Sequence, residues 1–419
     1  MNKDVLQRYE SAKKAYKKIG VDTDEAIKKI SQIKISLHCW QGDDVRGFLS
    51  NSELSGGIQS TGNYPYRARN VVELRQDIEK VLSLLPGKFK VNLHSTYLDT
   101  NEEVTLDKIE PRHFESWVKW AKKVGVGLDF NPTCFSHPLA EEGFTLSSPN
   151  DEIRNFWIEH CKRARKIGEY FGKELGEACV TNIWIPDGMK DIPYNRSYYR
   201  ERLKDSLNQI FEEKIDSKYN IDALESKLFG IGLESFTVGS NEFYLGYAAK
   251  NNVALTLDSG HFHPTEYISD KISAVLLYVP HLLLHVSRPV RWDSDHVVIF
   301  DDELNEIAHS LVRTNLIEKT SIGLDFFDGS INRIAAWVIG TRSTLKALLK
   351  AYLEPTDYLK KIELDGNYTD RLAIIEELKS FPFGDVFDYY CEINNVPVGL
   401  EALKEIHLYE KNILSKRGK

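Results

Sequence analysis

VALTLDSGHFHPTE (residues 253–266) and LLLHVSRPVRWDSDH (residues 282–296) decide the fold. Each opens on a short aliphatic run, each run ends on a side chain that can ligate a metal (Asp258, then His285), and an amphipathic segment separates them. Strand, helix, strand in this order is the signature of a parallel sheet. The same pattern extends in both directions. Downstream it continues in SIGLDF (321–326), and upstream in IKISLH (33–38), KVNLH (90–94), GLDFN (127–131), TNIWI (181–185) and ALESK (223–227). Helical periodicity fills the intervals, as at residues 71–85 with Val72, Leu74, Ile78, Leu82 and Leu85. Eight strand–helix units predict an α/β chain folded as a (β/α)₈ TIM barrel over residues 31–350. Residues 1–30 and 351–419 are helical in pattern and lie outside the units. They are expected to add a helical layer, the C-terminal part serving in oligomerisation.

Composition excludes several classes. The 419 residues carry 54 basic and 62 acidic side chains, net −8, which leaves no footprint for nucleic acid. No stretch reaches the ~20 apolar residues of a membrane span, and the charged start predicts a cytoplasmic protein. Cys39, Cys134, Cys161, Cys179 and Cys391 are scattered and never form a C-x-x-C pair, so they read as buried thiols rather than disulfides or a thiolate zinc site.

A barrel gathers the C-terminal ends of its strands on one face, where active sites are built. The ends here are polar or aromatic: His38 with Trp40, His94, Asp129 with Asn131, Trp184, Glu225 with Lys227, Asp258 with His261, His285 and Asp325. By strand alternation Glu225 and Lys227 share a face, and a buried salt bridge between them is the plain structural reading. With the later strands included, Glu225, Asp258, His261, His285, Asp293, Asp295 and Asp325 make seven candidate ligands, too many for one ion of ordinary coordination. Two divalent ions sharing a carboxylate are expected, and the mix of carboxylate and imidazole suits Mn²⁺, Co²⁺, Zn²⁺ or Mg²⁺. A metal-dependent hydrolase is the competing enzyme class. It would want H-x-H on the first strand, where this chain has H-C-W; its H-x-H pair, His261 and His263, comes much later. A sugar-binding barrel without turnover would require a broken ligand set.

Longer motifs add a resemblance. SLHCWQGDDV, GGIQSTGNYP, LDFNPTCFSHPL, NIWIPDGMKD, ESKLFGIG, TVGSNEFY, LDSGHFHPTE, LLLHVSRPVRWDSDHVV and GLDFFD followed by INRIAAWVIGTR occur in the order seen in bacterial L-rhamnose isomerases, which the chain resembles along nearly its whole length. The resemblance implies a fold similar to xylose isomerase, a homotetramer and interconversion of L-rhamnose with L-rhamnulose. It also implies one metal site of Glu225, Asp258, His285 and Asp325, and a second of His261, Asp293 and Asp295 that shares Asp258. No organic cofactor is then required, and hydrogen is expected to pass between C2 and C1 as hydride. Lys227 is expected to hydrogen-bond O1, with His94 assisting ring opening. Trp184 and Trp40 would form a flat wall against the sugar. Val45, Leu54, Ile58 and Tyr97 would form an apolar pocket for the C6 methyl group, with a long segment after the first strand (residues 41–65) covering the substrate. Such a pocket rejects an added hydroxyl only on the order of a hundredfold, so L-mannose and L-lyxose are expected as weaker substrates.

Overall fold

The structure is a computed structural model that describes residues 2–49, 54, 58–230 and 234–417. Eight parallel strands close a barrel: β1 Lys34–His38, β2 Lys88–His94, β3 Gly127–Asn131, β4 Cys179–Ile183, β5 Asn220–Glu225, β6 Ala254–Asp258, β7 Leu282–His285 and β8 Thr320–Leu324. Each strand pairs with its sequence neighbours, and β8 pairs with β1 in the register Leu37↔Leu324. The strands are short and buried on both faces, which explains why they read as continuous apolar runs.

Inside the barrel, Val180, Ala223, Ala254 and Leu283 form a small apolar plug of their own. Below the mouth, Lys90 pairs with Asp129, whose carboxylate also accepts from Ser36 Oγ at 2.7 Å and from the backbone N of Val180 at 2.8 Å. Asp129 is therefore a neutralised filler of the barrel and does not take part in the convergence at its mouth.

Several outer helices bury a single stripe, whereas Arg333–Tyr352 is buried nearly all round. In Val71–Leu82 the inward residues are Val71, Leu74, Ile78 and Val81, while Val72 is exposed, one position away from the stripe read from the sequence. Helices also form the expected layer beyond the barrel. Lys3–Lys17 packs on Phe383–Ile393 through stacked Tyr9 and Tyr389 rings 3.8 Å apart and through Arg8 with Asp385 and Asp388. The last segment is tied to the barrel by Arg417, which donates to both oxygens of Asp77 at 2.6 and 2.8 Å.

Candidate active site

Most strand ends converge on one cavity, which His94, Asn131, Glu225, Asp258 and Asp325 line directly while His38 and His285 are fully buried. His38, His94, Asn131, Glu225, Asp258 and His285 are the last residues of β1, β2, β3, β5, β6 and β7, and Asp325 directly follows β8. Three donor groups result among the described residues, each with ligand atoms within 4.8 Å of one another; His38, His285 and Asp325 overlap the larger set Glu225, Asp258, His285 and Asp325, so the groups reduce to two centres, that set and Asp258, His261 and Asp293. Asp258 belongs to both. Asp293 and Asp295 come from the second strand of a hairpin after β7, Arg288–Val290 paired with Trp292–His296. Asp295 lines the same cavity but stands outside both groups, on backbone with φ of 43°.

The cluster is held by its surroundings. Asn182 Nδ2 donates to Glu225 Oε2 at 2.6 Å, and its Oδ1 accepts from Thr256 Oγ1 at 2.7 Å. The backbone N of Gly260 donates to Asp258 Oδ1 at 2.6 Å, and a Cβ at Gly260 would lie 2.1 Å from Asp293 Oδ1, so the bare backbone there lets Asp293 approach. Asp325 Oδ1 accepts from Trp40 Nε1 at 3.0 Å, and His38 Nδ1 lies 3.1 Å from the same oxygen. Sequence reasoning gave His38 no role. Its place at the end of β1, equivalent to that of the other site residues, was the available signal.

Burial and mutual charge set the protonation. Burial, reinforced by Asp293, Glu225 and Asp325 against the opposing pull of His261, raises Asp258 to about 8. Burial together with Asp293 and Asp258 raises Asp295 well above the carboxylate range. For His285, burial favours the neutral ring but is outweighed by Glu225 and Asp325, so its pKa is raised; for His261 the same contest is won by Asp258 and Asp293. Asp258, Asp295, His261 and His285 thus hold protons that offset the crowded negative charge of the cluster. A divalent cation can replace those protons. His261 Nδ1 and Asp293 Oδ1 are buried without a hydrogen-bond partner, as atoms kept for a metal would be, and His285 Nδ1 faces Glu225 Oε1 at 3.1 Å and Asp325 Oδ2 at 3.0 Å. The donor set fits the ion.

The cavity measures about 330 Å³. Trp40, Val45, Ile58, Phe135, Trp184 and Phe327 form its apolar side, and Gln59, Thr61, Asn131 and His296 add polar atoms. His94 lines it too, with its ring against Trp40 and Phe135 and its Nδ1 3.3 Å from Thr133 Oγ1. Burial lowers His94 to about 3, so it is a neutral imidazole.

Four residues read from the sequence as site groups do not line this cavity: His285 is buried behind it against Glu225 and Asp325, and the other three lie elsewhere. Tyr97 is buried with its hydroxyl donating to Asp43 Oδ1 at 2.6 Å, and supports the segment after β1 from beneath. Leu54 packs against the main core. Lys227 lies beyond the end of β5, so alternation with Glu225 does not apply. Its ammonium pairs with Glu234 and donates to the Pro186 carbonyl at 2.6 Å, which replaces the expected Glu225–Lys227 bridge. Burial lowers Lys227 to about 8, leaving it mostly protonated at neutral pH. Phe135, Phe327, Thr61 and His296 were missed, since nothing in their local pattern distinguishes them from ordinary loop residues.

The segment that would cover the site (41–65) falls partly on residues 50–53 and 55–57, outside the described residues. Val45 within it has φ of 63°, a left-handed conformation costly for a β-branched residue.

Comparison with known proteins shows the family. The family model described as L-rhamnose isomerase (RhaA) matches residues 3–417. An L-rhamnose isomerase of Listeria innocua is 60% identical over 415 residues, covering 99% of both chains. One from Salmonella typhimurium is 57% identical over 418 residues, covering 100% of both. Among solved structures, an L-ribulose 3-epimerase aligns with 80% of this chain and 98% of its own at 12% identity and a TM-score of 0.49. A full-length match at this identity, on a barrel whose strand ends assemble carboxylates and imidazoles fit for a divalent metal, places the chain in the L-rhamnose isomerase family.

Proposed function

We propose that this cavity interconverts open-chain L-rhamnose and L-rhamnulose with two divalent ions per subunit, Mn²⁺ ahead of Co²⁺, Zn²⁺ or Mg²⁺. The observation that carries the reading is the pair of donor groups sharing Asp258 at the floor of an aromatic-walled cavity. Glu225, Asp258, His285 and Asp325 would hold one ion, and His261, Asp293 and Asp295 with Asp258 the other. When bound, such ions supply Lewis acidity for the negative charge that develops on O1 and O2.

The chain's own groups supply the rest. His94 enters as a neutral imidazole with Nδ1 3.3 Å from Thr133 Oγ1, and its Nε2 would take the anomeric hydroxyl proton during ring opening. Trp184 Nε1 and Asn131 Oδ1 are buried, unpartnered and on the cavity wall, a donor and an acceptor suited to sugar hydroxyls. Trp40 presents its face to the sugar while its N–H holds Asp325. Val45, Ile58, Phe135 and Phe327 give the C6 methyl an apolar surface. In the reaction the C2–H bond breaks as hydride and re-forms at C1, while the O2 proton passes to O1, so atoms and electrons balance. Lys227 would donate to O1 on leaving Glu234.

The assembly is proposed to be a homotetramer built through the C-terminal helices, where Leu364, Leu372, Leu400 and Leu408 are exposed. Scattering-coupled chromatography that returned a monomer would contradict it. The function is tested by comparing L-rhamnose, L-mannose, L-lyxose and D-xylose in the Mn²⁺-loaded protein. L-Rhamnose should have the highest kcat/KM, and another sugar ahead of it would reassign the substrate. Deuterium from solvent appearing at C1 in high yield would refute the hydride route.

A further inference from the structure

Arg333, the first residue of helix Arg333–Tyr352, touches neither donor group, yet its guanidinium is almost fully buried and makes four hydrogen bonds. Nε and Nη2 donate to Asp44 Oδ1 and Oδ2, both at 2.9 Å, and Nη1 donates to the carbonyls of Tyr64 and Pro65 at 2.9 and 3.0 Å. Asp44 stands near the start of the segment after β1, and Tyr64 and Pro65 at its return. A single side chain therefore joins both legs.

The contacts around it point the same way. Gln41 exchanges hydrogen bonds with the backbone of Asp328, 3.1 Å to its carbonyl and 2.8 Å from its N–H. The backbone N of Tyr64 donates to Gly329 O at 2.8 Å. At Gly62, φ is 124° and an added Cβ would lie 2.2 Å from the Gly329 carbonyl carbon, so the return leg lies directly on the turn after β8. Val45, beside Asp44, keeps its left-handed backbone and lines the cavity with Ile58 and Thr61. A strained residue persists only where its surroundings over-determine it, and the Arg333–Asp44 pair is the adjacent restraint.

We propose that Arg333 is a positioning residue for substrate selection: by pinning both legs of the segment after β1, it preforms the apolar wall that faces the sugar's methyl end. This rests on the reading of the cavity as an L-rhamnose site. Lysine in its place keeps the charge, but a single ammonium cannot reproduce a fork shared between one carboxylate and two carbonyls.

The test uses the Mn²⁺-loaded protein with Arg333→Lys, Asp44→Asn and the double variant. Arg333→Lys should raise KM for L-rhamnose about tenfold with kcat nearly unchanged, and lower the preference for L-rhamnose over L-mannose severalfold, as loss of a preformed apolar contact does. Mn²⁺ affinity should not move. Asp44→Asn should act in the same direction, and the double variant should be little worse than Arg333→Lys, because both remove one linkage. Hydrogen exchange is the readout that does not depend on turnover: amides of residues 41–49 and 58–65 should exchange faster in both single variants. Unchanged KM and sugar preference alongside a lowered Tm, losses that multiply in the double variant, or exchange that stays at the wild-type rate would each overturn the proposal. If the wild-type protein turned over neither sugar, the substrate reading would fall, and the exchange result would still decide the pinning.

Discussion

Replacing Asn182 by leucine tests whether the metal site depends on groups that do not touch the metal. Asn182 is fully buried between two partners: Glu225 Oε2 accepts from its Nδ2 at 2.6 Å, and Thr256 Oγ1 donates to its Oδ1 at 2.7 Å. Leucine keeps the branched heavy-atom skeleton and removes both bonds. A hydrogen bond to a charged acceptor is worth about 1.5–3 kcal/mol, and a neutral one about 1 kcal/mol. The first figure acts on Glu225, whose second oxygen already faces His285 Nδ1 at 3.1 Å, and the loss frees the carboxylate to rotate away from the shared ligand position. At 1.4 kcal/mol per tenfold, Mn²⁺ affinity should fall about 10- to 100-fold, the range usual for groups that support metal ligands. Thr256→Val removes only the neutral link and should cost fivefold or so by the same conversion. Calorimetric titration of Mn²⁺ into the chelated variants measures both. Equal affinities in Asn182→Leu and wild type, or a larger loss in Thr256→Val, would refute the reasoning.

Other consequences are as direct. Lys227→Met should lower kcat by about a hundredfold or more, as loss of a positioned proton donor does, while leaving Mn²⁺ affinity near wild type; it should also lower Tm, because Glu234 then keeps a buried carboxylate without its cation. An unchanged kcat would remove Lys227 from the reaction. Asp43, which anchors the segment after β1 through Tyr97 and the backbone N of Gly47, is raised by burial from 3.8 to about 7. Between those values the folded state holds a proton that the unfolded chain has released, so this group's contribution to stability falls as pH rises through the window. The Asp43→Asn variant lacks that titration, and its Tm relative to wild type should improve steadily from pH 4 to about pH 7; a gap that stays flat or moves the other way would contradict the assignment.

The barrel was legible because parallel strands buried on both faces must be short apolar runs, and because their last residues carry the chemistry. Asp258, His285 and Glu225 close their strands, Asp325 follows β8, and all could be read from position alone. Lys227 was misplaced because β5 ends at Glu225, and beyond a strand's last residue the period-two rule has no force. Val72 was assigned inward because the stripe of its helix was started one residue late. Tyr97 satisfies an apolar count, yet its hydroxyl finds Asp43 in the interior, and a buried phenol goes where its donor is accepted. Arg333 and Asn182 act across contacts between elements distant in sequence, which no local pattern records.

Under the proposed function, turnover needs the divalent ions held by the strand-end cluster. The most direct measurement is L-rhamnose isomerisation after exhaustive chelation, with Mn²⁺ then returned in known amounts and the bound metal counted. Turnover should disappear on chelation and return with Mn²⁺, complete at two ions per chain. Full turnover in protein shown to be free of divalent metal would contradict that requirement.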